Sequence, residues 1–384
     1  MSVTTNVSRR RREQGGLRWA IVGIGAHADV RMAPAVAATS GAHLTAVWSR
    51  DRGRAEAFAR RHGVPRAYDS YAALLAAPDV DVVYVATPNA LHCEQTIQAA
   101  EAGKHVLCEK PMTLSAGDAA AMIEACDRAG VKLGVAFQNR QHPAHQRIQA
   151  LVASGAAGEV RLAMAQYSHD LPADFRWPGW RASAAMAGGG SLMGMGAHAL
   201  DLLRFVLGRE VEEATAYSDE DPASGQVDRS VACLLRLRGG ACAVAVSSVH
   251  VPHAHNDLVV HGSRLRLEAQ GTIGVRWQGQ LAVTGETEAH RQAGPALSPS
   301  WQARLGAPIG TETTVSTFPC DAPVTALYAR LVEDFNASIE EDREPLATGH
   351  DGLAMVELVD AILRSSRERR SIPVSLGAEP ASRR

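Results

Sequence analysis

Five short apolar runs rich in β-branched residues alternate with helical patterns between Leu17 and Arg140. The runs are LRWAIVGIG, HLTAVWSR, DVDVVYVATP, HVLCEKP and VKLGVAFQNR, and each of the four intervals between them contains a segment with helical spacing of apolar residues. This alternation is typical of βαβ units that build a parallel sheet. Because the strands are apolar on both faces, we expect helices on both sides of the sheet.

The first strand ends in Gly23-Ile24-Gly25-Ala26-His27-Ala28, which matches the pattern GxGxxG/A. The pattern follows a strand and opens a helix, which is the context of a dinucleotide-binding turn rather than a purely structural one. Gly23 would allow the tight turn, and Gly25 would let a pyrophosphate approach the backbone at the helix N-terminus.

The end of the second strand bears on the choice of cofactor. A site selective for NAD needs a carboxylate there for the ribose 2′-hydroxyl. Ser49 and Arg50 stand at this place, and an arginine can form a bidentate contact with a 2′-phosphate. Asp51 follows, but we expect it to cap the next helix. The sequence therefore predicts NADP, with NAD as the weaker alternative.

Glu109-Lys110-Pro111 follows the strand that ends at Cys108. Ligands of open α/β sheets bind at the carboxyl ends of the strands, so Lys110 is placed to exchange a proton with a substrate oxygen. The alternative is a surface lysine paired with Glu109.

The second half of the chain changes character. Two alternating runs around Gly239-Gly240 predict a hairpin, and residues 257–277 continue the alternation, so we expect a mainly antiparallel sheet with one covered face. At 384 residues the chain is too long for one ordinary core. We predict a disordered tail (1–16), a Rossmann dinucleotide-binding domain (17–138) and an α/β domain for substrate binding and oligomerisation (139–384). Residues 285–320 lack periodicity, and we expect a lid, an oligomer arm or plain disorder there.

The run GGGSLMGMGAHALD, residues 188–201, places His198 in a helix that we expect to begin near Gly194 and to end at Gly208. A satisfied core histidine is one interpretation. The neighbouring glycines favour a second one, a catalytic imidazole, because glycine lets the backbone approach a ligand closely.

Four segments of the chain, some of them containing the motifs described above, follow one another in a characteristic order. GIGAHA, VATPNALHCEQTIQAAEAGKHVLCEKPM, GWRASAAMAGGGSLMGMGAHALDLLRFVLG and REPLATGHDGLAMVELVDAILRSS together resemble the Gfo/Idh/MocA oxidoreductase family, from Leu17 to about Val374. The resemblance implies a Rossmann domain, a second domain with a large open sheet that pairs with another subunit, and NAD(P)-dependent oxidation or reduction of sugars and polyols.

When the functional residues of the family are transferred by position, the resemblance implies that Lys110 and His198 are the catalytic pair. It assigns the cofactor side to Thr87, Pro88, Asn89, His92, Glu109, Trp180 and Arg181. For the substrate wall we select Arg140, His169, Asp170, Trp177 and Asp201, together with the catalytic pair. Gly194 departs from the family, since many relatives have an aspartate there, so we expect a neutral His198 and most of the proton transfer through Lys110.

The net charge of −2 gives no general attraction to nucleic acid or to a membrane. The four arginines at 9–12 are expected in a solvated tail rather than a docking arm. Six scattered cysteines without CxxC spacing predict reduced thiols in the cytoplasm. His250, His253 and His255 lie close together, but no acid or cysteine completes a metal site, so we expect no metal and interpret them as a polar loop or interface.

Three functions are consistent with these patterns. The first is an NADP(H)-favouring oxidoreductase of a sugar or related hydroxyl or keto compound, a homo-oligomer (dimer or tetramer). The second is a lyase or glycosidase-like enzyme that uses transient redox of a tightly bound cofactor. The third is a non-catalytic dinucleotide-binding regulatory protein, against which Lys110 and His198 argue.

Overall fold

The structure is a computed structural model that describes residues 15–172, 174–221, 225–276, 278–286, 311–318 and 325–375. Most of the predicted tail (1–14) and residues 287–310 and 319–320 of the predicted loop lie outside this part of the chain. In the described residues no helix is both long and apolar enough to cross a membrane.

The first sheet has six strands, all parallel, in the order β3-β2-β1-β4-β5-β6. The strands are β1 (Leu17–Val22), β2 (Ala42–Trp48), β3 (Arg66–Tyr68), β4 (Val82–Val85), β5 (His105–Cys108) and β6 (Leu133–Val135). The order reverses between β1 and β4, and open α/β sheets bind ligands at such a switch point. The predicted doubly wound sheet is confirmed.

Helices connect these strands. They are α1 (Ala33–Ala38), which continues a π-helical turn at Ala28–Met32, then α2 (Arg52–His62), α3 (Tyr71–Leu75), α4 (His92–Glu101) and α5 (Ala116–Ala129). The Ser115 side chain caps α5 by accepting a hydrogen bond from the Asp118 amide, and Gly130 ends it at φ +66°. The boundaries therefore follow local capping chemistry.

Both faces of the sheet are buried. Along β1, Ala20 and Val22 belong to one apolar cluster, while Trp19 and Ile21 belong to a second cluster on the other face. A helix near the end of the chain, α9 (Ala326–Glu340), supplies part of that second cluster. The first sheet is thus completed by residues far along the chain, outside the predicted boundary of the first domain.

The second sheet has nine strands, in the order β14-β13-β12-β11-β7-β10-β9-β8-β15. They are β7 (Val160–Ser168), β8 (Val211–Ser218), β9 (Ser230–Leu237), β10 (Cys242–Ser248), β11 (Leu258–Gly262), β12 (Leu265–Gln270), β13 (Gly279–Glu286), β14 (Thr311–Phe318) and β15 (Ile372–Pro373). The pairing of β7 with β10 is parallel, and the other pairings are antiparallel. The predicted mainly antiparallel sheet, with its hairpin at Gly239-Gly240, is confirmed.

The second domain also contains the helices α6 (Pro143–Ala153), α7 (Ala184–Ala187), α8 (Ala197–Leu207) and α10 (Gly349–Glu368). The prediction of an aperiodic loop over 285–320 is wrong at its two ends, since both belong to paired strands. Residues 312–317 of β14 are all exposed. An edge strand without a buried face has no alternation of apolar residues, so its pattern gave no signal.

Candidate active site

The glycine-rich turn lies between the carboxyl ends of β1 and β4. Gly23 has φ +96°, and a Cβ there would lie 2.6 Å from the backbone of Ala86, so glycine is required on both counts. A Cβ on Gly25 would meet nothing within 4 Å, and Gly25 and Ala26 are exposed. Ala28 is buried at the start of the following helical turn. The turn therefore leaves open space above its backbone, which fits the pyrophosphate of a dinucleotide.

At the end of β2, Ser49 is buried and Arg50 is exposed. Asp51 accepts a hydrogen bond from the amide of Arg54 at 3.0 Å and caps α2, as expected. Its carboxylate is therefore engaged with the helix, while the guanidinium of Arg50 is free to meet a charged group at this edge.

The segment after β4 is tied to its surroundings. Thr87 Oγ1 donates to Gln95 at 2.6 Å, and Asn89 Nδ2 donates to the carbonyl of Ala187 at 2.8 Å, across to the glycine run. The prediction that His92 contacts the cofactor is not supported by its placement. Its side chain is fully buried, with ring nitrogens at 2.8 Å from the Thr87 carbonyl and 3.1 Å from that of Pro111. We assign His92 to holding the loops after β4 and β5 together.

Lys110 reaches from the end of β5 to the second domain. Its Nζ donates to the carbonyl of Gly194 at 2.7 Å. The pKa of Lys110 is lowered to about 8, mainly by burial. The negative charge of Glu109 raises this pKa, whereas the positive charges of Arg181 and Arg31 lower it further. An amine with this pKa exchanges protons near neutral pH.

We call the region around Lys110, between the end of β5 and the Gly194 segment, the cleft. Trp180 and Arg181 lie near Lys110 in this region. The Arg181 guanidinium lies 4.4 Å above the Trp180 ring, and its charge acts on Lys110. Trp177 is half-buried beside the glycine run: a Cβ on Gly190 would lie 2.8 Å from its Nε1. These side chains together border the approach to Lys110.

The glycines of the run make room for protein rather than for a ligand. A Cβ on Gly190 would lie 1.9 Å from the carbonyl of Asp228. The buried Asp228 carboxylate accepts hydrogen bonds from the amides of Gly190 and Leu192 and from the Ser191 hydroxyl, each at 2.7 Å. Asp228 thus caps the start of the helical segment although it lies some 40 residues later in the sequence. No local sequence pattern identifies Asp228 as the capping residue.

The segment that carries His198 begins with a π-helical turn at Leu192–Gly196, close to the expected start near Gly194, and His198 lies on its second turn. The side chain is 4% exposed, and its Nδ1 is buried with no hydrogen-bond partner among the described residues. Burial is the main cause that lowers the pKa of His198 far below its usual value, and Lys110 is the next cause. The ring is therefore neutral at pH 7 and stands near the Lys110 amine.

Arg140 and Asp201 do not line the cleft. Both are almost fully buried, and Arg140 Nε lies 3.0 Å from one Asp201 oxygen, while its Nη1 donates to Asp351 at 3.1 Å. This network joins α8 to the N-terminus of α10. We therefore correct their predicted role: they hold the helix that carries His198.

His169 and Asp170 are exposed at the end of β7. Asp170 forms an isolated bridge with His250, beside the histidine-rich loop. His169 contacts the Tyr167 ring, which in turn lies 5.7 Å from the His198 ring, centroid to centroid. His169 thus borders the His198 side of the cleft, and Asp170 lies further out.

Four residues of the cleft were not selected from the sequence. His27 Nε2 lies 3.1 Å from Glu109 Oε1, at ion-pair distance but outside hydrogen-bond geometry, and Tyr84 donates a hydrogen bond to the same oxygen. Arg31 Nη1 lies 3.1 Å from His27 Nδ1, and the Tyr328 ring contacts His27 edge-on at 5.2 Å. Because a guanidinium only donates, His27 Nδ1 accepts and its other nitrogen faces Glu109.

Glu109 is held as a carboxylate. Burial would raise its pKa, but His27, Lys110 and Tyr84 together keep it well below the usual range. Within the described ranges, no three His, Cys, Asp or Glu side chains are gathered as a metal site would require. In the cleft, the Lys110 amine has a pKa of about 8 and can exchange protons, and the His198 ring can form hydrogen bonds.

Comparison with known proteins gives two family matches. A model described as "Oxidoreductase family, NAD-binding Rossmann fold" matches residues 17–137, and one described as "GFO/IDH/MocA C-terminal domain" matches residues 145–268. Together they span well over half of the chain.

Individual relatives match over almost their full length. The 1,5-anhydro-D-fructose reductase of Ensifer adhaerens is 30% identical over 94% of this chain and 99% of its own. The D-xylose 1-dehydrogenase (NADP(+)) 2 of Haloferax volcanii is 32% identical over 87% of this chain and 92% of its own. The crystal structure of an aldose-aldose oxidoreductase from Caulobacter crescentus, in complex with glycerol, matches 93% of this chain and 99% of its own at 28% identity, with a TM-score of 0.77.

Proposed function

The chain belongs to the Gfo/Idh/MocA family of NAD(P)-dependent oxidoreductases, and we propose that it interconverts a hydroxyl and a keto group of a sugar or related compound. The relatives that reduce anhydrofructose or oxidise xylose support this substrate class. When bound, the nicotinamide would accept or supply the hydride.

The observation that carries the proposal is the position of the Lys110 amine. It stands at the carboxyl end of β5, close to the switch point of the first sheet, and bonds to the second domain at Gly194. A substrate between the two domains would meet this amine beside the neutral ring of His198.

Lys110 would act as the acid–base group in both directions. In oxidation its neutral amine accepts the proton of the substrate hydroxyl, while the carbon loses a hydride and the C–O single bond becomes C=O. In reduction the ammonium returns that proton to the carbonyl oxygen. His198 would hydrogen-bond the same oxygen and orient it, since a buried ring with a strongly lowered pKa is a poor base at pH 7.

We propose NADP(H) as the preferred cofactor. Arg50 is exposed at the end of β2, where a 2′-phosphate would lie, and Asp51 is engaged in capping α2. Ser49 would add a hydroxyl contact. The same proposal assigns the pyrophosphate to Gly23–Ala28 and the nicotinamide side to the remaining cleft residues, namely Thr87, Pro88, Asn89, Glu109, Lys110, Trp180 and Arg181.

The decisive experiment is Lys110→Ala, assayed for turnover of a sugar panel with NADPH and NADP. We expect kcat to fall about 100- to 10,000-fold, the usual contribution of a positioned acid–base group, while the Kd for NADPH changes less than about threefold. Lys132→Ala is the matched control, because Lys132 precedes β6, at the amino ends of the parallel strands and away from Lys110, and pairs with Asp342.

Near-normal turnover of Lys110→Ala would rule out this mechanism. Products formed without net oxidation or reduction of the cofactor would instead support the lyase or glycosidase-like alternative.

We further propose a homo-oligomer that forms through the outer face of the second sheet. Paired positions across neighbouring strands point to one face, and such pairs connect Leu234, Val244, Met164 and Val259 in one row. Leu234 is 53% exposed and Met164 is 38% exposed. A dimer or tetramer in light scattering that Leu234→Lys dissociates would support this surface. The domain division and the cytoplasmic location stay predictions, the latter resting on the free thiols.

A further inference from the structure

Two arginines, Arg31 and Arg181, exert their positive charge on groups of the cleft. Arg31, on the turn after the glycine loop, acts electrostatically on Lys110, His169 and His198, and lowers the pKa of each. Arg181 also acts on Lys110. Arg31 Nη1 lies 3.1 Å from His27, and the other ring nitrogen of His27 lies 3.1 Å from the carboxylate of Glu109, the residue before Lys110. This contact chain places the arginine near the reacting lysine.

The carboxylate of Glu109, beside Lys110, is already engaged. Glu109 accepts from the Tyr84 hydroxyl, faces His27 at 3.1 Å and accepts from the amide of Lys110 at 3.2 Å. Arg31 does not form an ion pair with Glu109, and its guanidinium instead contacts Nδ1 of His27. The charge of Arg31 thus has no carboxylate partner among the described residues.

Two buried donors of the cleft also have no acceptor in the described part of the chain. One is Arg31 Nε, and the other is the hydroxyl of Tyr328, whose side chain is fully buried. Arg31 and Tyr328 lie on the same histidine: Arg31 Nη1 is 3.1 Å from His27 Nδ1, and the Tyr328 ring is 5.2 Å from the His27 ring, centroid to centroid. Buried polar groups without partners are rare in folded proteins, and a cation with a neighbouring hydroxyl donor is the donor set that binds a carboxylate.

We infer that the site takes a sugar acid, whose carboxylate binds Arg31 and Tyr328 while its reacting hydroxyl or carbonyl faces Lys110. This inference rests on the proposed function and narrows its substrate class. A neutral sugar would leave the Arg31 charge and both donors without an acceptor. The other anion that could reach Arg31 is the pyrophosphate of the cofactor, and the experiment separates the two.

The test measures binding by calorimetry to the chain saturated with NADPH. The probes are two matched pairs, D-galacturonate with D-galactose and D-glucuronate with D-glucose, at constant ionic strength. We expect at least one acid to bind about 10- to 100-fold more tightly than its neutral partner, as a charge-assisted contact implies. Arg31→Gln should reduce this ratio below threefold, and Arg31→Lys should keep an intermediate ratio because it retains the charge.

Arg128→Gln is the control, because it removes one positive charge at an exposed site on α5 and should leave the ratio unchanged. Equal binding of acid and neutral sugar in both pairs overturns the inference. It is also overturned if Arg31→Gln weakens NADPH binding and leaves the acid preference intact, since the anion is then the pyrophosphate. Absence of turnover with every sugar contradicts the proposed function, whereas the binding ratio reports on Arg31 independently.

Discussion

The Nζ of Lys110 donates a 2.7 Å hydrogen bond to the carbonyl of Gly194, a residue 84 positions later in the chain. This contact joins the end of β5 to the helical segment that carries His198. It also falls on the position where the family resemblance leads one to expect an aspartate. The lysine therefore has a backbone partner at the position where the resemblance implies a carboxylate.

The pH dependence should report Lys110 directly. With its pKa lowered to about 8, chiefly by burial, the amine is protonated below that pH and neutral above it. Sugar oxidation needs the neutral amine, so kcat/KM should rise with pH and level off above about 8. Reduction needs the ammonium, so it should fall above about 8. Profiles in both directions from pH 6 to 10 check this, and parallel profiles would contradict the assigned role.

Gly194→Asp should restore the missing carboxylate without breaking the fold. Gly194 does not have positive φ, and a Cβ there would meet only Trp177, at 3.8 Å. A negative charge beside Lys110 and His198 favours their charged forms, so the pKa of each should rise and His198 should become a better base. NMR titration of His198 and the rate of alcohol oxidation measure the effect. Gly194→Ala is the control and should fold normally with unchanged titration. If Gly194→Asp folds but leaves titration and rate unchanged, His198 does not have the proposed role.

Arg50→Ala should weaken NADPH binding about 10- to 100-fold, equivalent to about 1.5–3 kcal/mol for a lost charge-assisted contact, and leave NADH binding nearly unchanged. Fluorescence titration of both cofactors gives the ratio. Asp51→Ala serves as the comparison. It should lower the free energy of unfolding by about 1 kcal/mol through loss of the α2 cap while preserving the NADPH to NADH ratio. A wild-type chain that binds NADH more tightly than NADPH would refute the assignment.

Asp201→Asn should destabilise the fold strongly. It leaves the buried Arg140 without one of its two carboxylate partners, and loss of one partner of a buried ion pair typically costs about 3–5 kcal/mol. Denaturant unfolding measures this change. Asp69→Asn, an exposed carboxylate 3.8 Å from Arg52, should change stability by less than about 0.5 kcal/mol. If Asp201→Asn is as stable as that control and alters only KM, the earlier substrate-wall assignment is correct after all.

Much of the first domain was predictable because its information is local. Apolar runs with β-branched residues, the glycines after β1 and the caps of the helices act within a few residues of one another. Lys110 was placed at the end of β5 by the same reasoning. The exposed edge strand β14 escaped prediction because burial on one face is what produces an alternating pattern, and it has none.

The sequence by itself determined the alternation of strands and helices and the dinucleotide-binding turn, and it led to the proposal of Lys110 as the acid–base group. Only the tertiary structure showed that Asp228 caps the His198 segment, that Arg140 and Asp201 pair in a buried network, and that Arg31 and Tyr328 both contact His27. Tyr328 lies about 300 positions after His27, yet their rings are in contact. Such neighbours are selected by long-range packing of α9 on the first sheet, and no periodicity within either segment encodes which side chains will meet.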